Sequence, residues 1–408
     1  MHLLQLAGVQ VWPNLLPILA LKPSTVTFLT SADHNQNYRR SLGNIQKACL
    51  ALGVEFHLQT LSTQDGNPTT EECRHTLKNL TPDCINLTGG TKPMSIAAYD
   101  LAQHTGIGAF YLDTRRSFHP IETVCGLSSG FFDPDSWNLP GIVARITVPI
   151  ALKAHGFPVP DHFEFPAGNW TAFSLQAAKI RMDPEADHEI SSAIIQLRTQ
   201  LMGTSSSMPR KGQLRKVLKI PISARPGSAW HRYLAAAGEE GIILAAAPAT
   251  PSIQEFFLLT ENPATTPSEQ LGSLATKTFK LLEGIWFELA VLHHLQQKST
   301  FSDICWSVEA DHLQESTASS RGETDLVAFN TTEFSLHFIS CKTSGPHSAA
   351  LDHIQGLRRR STKEGGAYAK AELWIYRPKS SKQRIDLENH CKEQNVALRI
   401  FTELSDQA

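Results

Sequence analysis

Short apolar runs alternate with longer amphipathic stretches over residues 1–115. The runs at 3–7, 25–29, 54–58, 84–87 and 108–112 are rich in branched and aromatic residues and end near Gly, Ser, Thr or Asp, which predicts strands. Between them, 35–52, 69–80 and 91–103 have helical length, and Thr91 before Lys92-Pro93 offers an N-cap with proline in the first turn. Strand and helix in alternation predict a parallel sheet flanked by helices.

The pattern loosens from 155 to 265, where one helix is predicted at 185–202, followed by a Ser-rich break at 203–207. The stretches 245–248 and 262–267 read as boundaries, and Thr266-Pro267-Ser268-Glu269 as a capping box opening a helical region that runs to about 297. A chain of 408 residues exceeds one hydrophobic core, so the expected division is 1–154, a connecting domain at 155–265, and 266–408.

Composition narrows the class. With 41% apolar and 19% charged residues, the chain reads as globular. Its start lacks a basic leader region, and no run of eighteen apolar residues occurs, so the expectation is a cytoplasmic protein with no membrane span. Seven scattered cysteines, none in a C-x-x-C pair, argue for reduced thiols rather than a disulfide framework or a zinc site. A net charge of -2 gives no global field for nucleic acid, leaving two local basic stretches, 209–219 and 358–384.

Candidate chemistry lies at both ends of the chain. In the helical region before 297, Leu281, Ile285, Glu288 and Leu292 fall at helical spacing, so Glu288 is expected to project from an apolar stripe. A carboxylate there calls for a cation, a metal or a solvent-filled cleft. Residues 323–329 and 333–342 form two strand patterns around a turn near Thr331-Thr332. If Asn330 pairs with Glu333, Asp325 stands opposite Phe338, on the face that also carries Ser340 and Lys342. An acid and a lysine converging in this way suit phosphodiester hydrolysis: the acid holds a divalent ion and the ammonium stabilises developing charge.

At the other end, Asn86-Leu87-Thr88-Gly89-Gly90-Thr91-Lys92-Pro93-Met94 runs from a strand through two glycines into a helix start. Free N–H groups and the helix dipole favour an anion there, and the glycines let it approach. It is not a Walker A loop. Gly8-Val9-Gln10-Val11-Trp12-Pro13-Asn14 and Thr30-Ser31-Ala32-Asp33 place further small and polar residues at strand ends, and no G-x-G-x-x-G follows the first strand.

The acid and lysine pattern resembles the PD-(D/E)xK restriction-endonuclease superfamily, with Glu288, Asp325 and Lys342 at matching positions. Ser340 stands where the acid two residues before the lysine is expected. Either Glu288 or Glu323 completes the site, or metal binding is weakened, or this copy is inactive. Taken whole, the chain resembles the CARF-domain nucleases of type III CRISPR systems, in which a Rossmann-like sensor is fused to such a nuclease. The resemblance implies an α/β chain with a CARF sensor domain at 1–154 and a restriction-endonuclease-like α/β domain at 266–408. It further implies a homodimer that binds a cyclic oligoadenylate, most often cyclic tetra-adenylate, and cleaves DNA, RNA or both with manganese or magnesium. Gly8, Gln10, Ser31, Gly89, Gly90, Thr91 and Lys92 are the expected ligand-binding residues. Asp325, Lys342 and Glu288 are the expected catalytic residues, with Glu323 as a replacement acid, and Asp325, Glu288 and Glu323 are the expected metal ligands. The rival expectation, favoured by Ser340, is a sensing regulator whose nuclease half has decayed.

Overall fold

A computed structural model of the chain describes residues 1–8, 10–31, 36–61, 68–113, 119–125, 142, 146–157, 168–202, 222–246, 252–258, 276–310, 322–343, 347–366, 369–378 and 380–404. The expected capping box at 266–269 and the basic stretch 209–219 lie outside these residues.

Six strands build the N-terminal sheet: β1 (His2–Leu6), β2 (Thr25–Ser31), β3 (Glu55–Leu61), β4 (Cys84–Asn86), β5 (Gly108–Asp113) and β6 (His119–Cys125), in spatial order β3-β2-β1-β4-β5-β6. The first five pair in parallel, and β6 is antiparallel to β5. Every strand and helix predicted in this region is present: α2 (Gln36–Ala51), α3 (Thr70–Leu77) and α4 (Lys92–Thr105) are the crossovers. Leu4, Leu6 and Ile85 of the central strands close on Met94, Ala97, Ala98 and Ala102 of α4 in one buried cluster. β1 and β2 are buried on both faces, which suits their apolar and β-branched content, whereas the edge strand β3 is mostly exposed.

Helix α1 (Val11–Leu21) was not anticipated, because Pro13 and Pro17 argue for loop. Pro13 sits in the first turn, where its missing N–H has no helical partner to lose. Pro17 does remove an interior bond, and the helix survives because its residues 12–19 are buried and the orphaned carbonyl is satisfied from outside, as described below.

By contacts the chain forms two compact units. One comprises Met1–Phe163, Ser299–Ile339 and Gln355–Ala371; the other comprises Glu164–Lys298, Ser340–Ile354 and Glu372–Ala408. Within the second, α6 (Gly168–Arg181), α7 (Pro184–Met202) and α8 (Ala229–Glu239) pack beside a small sheet of order β7-β9-β8, made from Ile222–Ala224, Leu244–Ala245 and Gln254–Phe257. Only α7 was legible in the sequence. Arg181 is buried between Asp187 (2.6 Å) and Ser191 (2.7 Å), with its guanidinium 4.8 Å from the Trp286 ring, so this internal charge is paired.

A separate C-terminal sheet has the order β10-β11-β12-β13-β14, from Phe301–Ala310, Gly322–Asn330, Ser335–Lys342, Lys370–Ile375 and Ala397–Ile400. The β11–β12 hairpin is present, but its register departs from expectation by two residues: Asn330 pairs with Ser335, not Glu333. Asn330 Oδ1 accepts from the N–H groups of Thr332 (2.9 Å) and Glu333 (3.0 Å), which nucleates a longer turn. Buried Phe334 closes it with a left-handed backbone (φ 49). A shift of two leaves side-chain parity unchanged.

Within the first unit, α5 (Val148–Ala154) packs on α2 and on β10 and β11, and its N-terminal Val148 N–H donates to Asp303 Oδ2 (2.6 Å). His155 follows it. Its Nε2 is buried without a partner, its ring meets Trp12 edge-on at 5.9 Å, and burial pushes the imidazole down to about 4.

Because the ordinary imidazole titrates near 6.5, the unfolded chain takes up this proton first as pH falls, so folding stability drops as pH falls from 6.5 towards 4. Replacing His155 with Phe keeps a ring and removes the titration. Between pH 7 and pH 5 the wild type should therefore lose about 2 kcal/mol more stability than His155→Phe in urea unfolding; parallel losses would show that this ring is not the titrating group.

Candidate functional site

From β1 the chain passes to β2 on one side of the sheet, and from β4 to β5 on the other, so the topological switch point lies between β1 and β4. The crevice at the carboxyl ends of such a strand pair is where open α/β sheets take ligands. Here the two turns that leave these strands meet: a Cβ on Gly8 would lie 3.5 Å from Gly89 Cα, and the Gly90 N–H donates to Ala7 O (2.9 Å).

A buried amide network fixes that meeting. Asn86 Nδ2 donates to Gln5 Oε1 (2.8 Å) and to Pro13 O (3.0 Å), and its Oδ1 accepts from Thr88 N (3.0 Å) and Thr88 Oγ1 (2.6 Å). Thr88 Oγ1 in turn accepts from Leu112 N (2.7 Å) on β5. Pro13 O is the acceptor that Pro17, lacking an N–H, leaves empty inside α1. Gln5 Nε2 donates to Asn14 O (2.9 Å), while Asn14 Nδ2 ties Gly8 O (3.0 Å) and Gln10 O (2.9 Å) to the helix. Sequence reading passed over Asn86, Gln5 and Asn14. Their signal was available: a carboxamide inside the apolar runs Leu4-Gln5-Leu6 and Ile85-Asn86-Leu87 must find partners when buried.

The glycines serve the protein before any ligand. A Cβ on Gly89 would stand 2.0 Å from Leu6 O, and Gly90 is left-handed (φ 74) with Leu6 Cβ and Met94 Sδ close by. Their smallness admits the β1 backbone, whereas the sequence suggested room for an anion. Thr91 is the N-cap of α4, and its Oγ1 is buried without a partner. Lys92 is exposed beside it. Pro93 has no N–H, so the start of α4 offers the Lys92 N–H, which has no intrahelical acceptor, beside the Thr91 hydroxyl and the Lys92 ammonium. Gln10 is exposed on the neighbouring turn, whereas Ser31, at the end of β2, is only 3% exposed. Among the expected ligand-binding residues, Gly8 thus meets Gly89, Gln10 follows two positions after Gly8, and Ser31 is buried.

In the C-terminal sheet, Glu323 and Asp325 alternate with Val327 and Phe329 on one face of β11. Val327 pairs with Phe338 and Phe329 with Leu336; along β12 that parity continues through Ser340 to Lys342. Asp325 and Lys342 are half-buried, and Ser340 is 7% exposed. Glu323 is exposed, and its Oε1 accepts from Ser307 Oγ (2.6 Å). Glu288 lies in the first turn of α9 (Trp286–Gln296), directly after a π turn at Leu281–Ile285. That turn breaks the 3.6-residue period assumed for Leu281, Ile285, Glu288 and Leu292. Around it Trp286, Phe287, Leu289, Ala290, Val291 and Leu292 are all buried, so half-buried Glu288 interrupts a helix that is apolar nearly all round rather than on one stripe. Among the described residues, no group of three or more His, Cys, Asp or Glu side chains converges to hold a metal ion. The donor set does not fit a three-carboxylate cage, in keeping with Ser340 at the position of the missing acid. Cys49, Cys73, Cys84, Cys305, Cys341 and Cys391 are buried and in no disulfide, and burial pushes Cys49 and Cys84 up to about 12, which keeps them as inert thiols.

Residues 3–123 match the family model described as the Card1 CARF domain. The chain is similar to a solved structure, protein VC1899 from Vibrio cholerae, at 15% identity over 99% of this chain and 95% of that one, with a TM-score of 0.65. It is also similar to Can2 from Sulfobacillus thermosulfidooxidans, solved in complex with cyclic tetra-adenylate, at 15% identity over 98% of this chain and 93% of that one, with a TM-score of 0.58. No curated protein matches the sequence. The N-terminal sheet is therefore a Rossmann-like CARF domain, and the two likenesses extend the shared fold along nearly the whole chain. Among the described residues, no helix is long and apolar enough to cross a membrane.

The amide network makes a sharp prediction. Asn86→Asp keeps the size and both acceptors but loses the donors to Gln5 Oε1 and Pro13 O, so it should destabilise about as much as Asn86→Ala, by roughly 2–5 kcal/mol in chemical denaturation. Wild-type stability of Asn86→Asp at neutral pH would show that the two donated bonds contribute little.

Proposed function

We propose that the chain is a cyclic-oligoadenylate sensor joined to a phosphodiesterase half, working in type III CRISPR antiviral defence in the cytoplasm. The observation that carries the reading is the meeting of the Gly8 and Gly89–Lys92 turns at the switch point of a CARF domain. The Lys92 N–H at the start of α4 and the exposed Lys92 ammonium would offer a phosphate two donors, with the Thr91 hydroxyl beneath them. Cyclic tetra-adenylate is the proposed activator, and its presence in the Can2 complex supports the choice.

A ring of repeated adenylates presents symmetric phosphates, which two copies of the turn would meet equally, so the proposed state is a homodimer. Lys92, Ile96, Tyr99 and Gln103 share one exposed face of α4, with Ile96 51% and Tyr99 39% exposed. That apolar patch beside the turn supports pairing of two copies at this helix.

Asp325, Lys342 and Glu288 are the proposed catalytic residues of the C-terminal half, with Glu323 as the further acid and DNA or RNA as substrate. Lys342 would bind the scissile phosphate and stabilise the charge that grows on it. Asp325, with Glu288 or Glu323, would hold a magnesium or manganese ion, and the ion would supply polarisation of the phosphodiester. A second reading, a sensor whose nuclease half no longer cleaves, is favoured by Ser340 and by the shortage of converging donors.

Two predictions separate these readings. With manganese and plasmid or single-stranded substrates, cyclic tetra-adenylate should raise cleavage by at least about 100-fold, and Lys342→Ala should return it to the background, a loss of about 3 kcal/mol in transition-state stabilisation. Cleavage indifferent to both ligand and substitution rejects the nuclease assignment. Calorimetric titration with manganese should show binding that Asp325→Ala abolishes; if the full chain binds no divalent ion, the non-cleaving reading takes its place.

A further inference from the structure

Trp12, second residue of α1 and two beyond Gln10, is 2% exposed; its ring lies 5.4 Å from that of Phe329 and 5.9 Å from that of His155. Phe329 is fully buried on the face of β11 that carries Asp325, and it pairs across the hairpin with Leu336. Over Leu336 sits Gly365, the last residue of helix α10 (His347–Gly365): a Cβ there would come 3.4 Å from Leu336 Cβ and 2.7 Å from Phe338 Cε2. Gly366, left-handed at φ 77, lies against His155 so closely that a Cβ would stand 2.7 Å from Cε1. The contacts close a ring: Trp12, Phe329, Leu336, Gly365-Gly366, His155 and back to Trp12. Every member belongs to the compact unit that holds the sensor sheet.

On the sensor side the same helix turn is tied to the ligand edge, because Asn14 Nδ2 grips the carbonyls of Gly8 and Gln10. A displaced turn must carry Trp12 with it or break those bonds. Close-packed rings pass a displacement on, since there is no void to absorb it. Phe329 and Asp325 are four residues apart on one strand, about 13 Å, and project on the same side.

We infer that Trp12 and Phe329 form the coupling element of this chain: a packed aromatic junction through which the state of the Gly8 and Gln10 carbonyls held by Asn14 sets the position of β11, and with it Asp325. Trp12 is here a positioning residue, acting on the acid through Phe329. The inference rests on the sensor reading for what moves the turn, whereas the junction itself stands on packing alone.

Hydrogen exchange on the full chain tests both levels. Without ligand, Trp12→Leu should raise amide exchange across residues 322–330 by about fivefold, the signature of roughly 1 kcal/mol, and Phe329→Leu should do the same across residues 10–14, with residues 229–239 unchanged in both. Should Trp12→Leu fail to fold, Trp12→Phe gives the same comparison with a smaller effect. With cyclic tetra-adenylate, the wild type should show altered exchange at 322–330, and Phe329→Leu should lose that response while binding the ring within about threefold of wild-type affinity, as expected if coupling and binding are separable. Absence of the reciprocal changes without ligand, or a wild-type response in Phe329→Leu, overturns the inference. If the wild type binds no ring, the sensor reading fails, and the ligand-free comparison alone decides the junction.

Discussion

Pro17 cannot donate the hydrogen bond that the Pro13 carbonyl would accept in an ordinary helix, and the Asn86 carboxamide supplies it from the neighbouring strand at 3.0 Å. The same side chain meets Gln5 and Thr88, so all its hydrogen-bonding capacity is used inside the protein. A saturated buried amide has one low-energy position, because any shift leaves a polar group unpaired in a dry interior. Three segments are thereby held together: the end of β1, the start of α1 and the turn from β4 into α4. The edge proposed to take the ligand is thus fixed by the protein's own hydrogen bonds, so a ligand bound there would spend less of its binding energy on ordering the turns.

That rigidity has a mechanical side. A stiff edge cannot soak up a ligand-induced movement within its own loops, so movement passes to what the edge touches. Asn14 binds the first turn to α1, and α1 presents Trp12 to the face of β11. On β11 and β12, Glu323, Asp325, Ser340 and Lys342 follow one strand parity, with a hydroxyl, Ser340, where the expected nuclease pattern has a carboxylate. A neutral side chain at that point lowers the negative charge offered to a cation, and with it the affinity and the hold on the ion's geometry. The proposed catalytic half therefore depends on Lys342 to an unusual degree.

Much of the sensor fold was legible because parallel strands buried on both faces read as short, largely apolar or β-branched runs, and α3 carries an ordinary capping box at Thr69. The misses have local causes. Helix α1 hid behind two prolines, of which Pro17 has its cost met by Asn86, a partner more than seventy positions from Pro13 that no window of sequence contains. The hairpin register slipped by two because Asn330 folds its own carboxamide back onto Thr332 and Glu333 N–H groups and lengthens the turn. Parity survived the slip, so the face assignment of Asp325 and Lys342 did too. Glu288 was read with a 3.6-residue period that the π turn at Leu281–Ile285 interrupts. As for Gly89 and Gly90, the sequence shows that small residues are needed there; that the neighbour is Leu6 rather than a phosphate only the packing reveals.

The central claim is that the paired turns at the switch point bind a cyclic oligoadenylate. Isothermal titration of the full chain with cyclic tetra-adenylate tests it most directly: the account expects saturable binding at one ring per two chains, weakened at least tenfold, or about 1.4 kcal/mol, by Lys92→Ala. Absence of binding, or binding that Lys92→Ala leaves at wild-type strength, would contradict it.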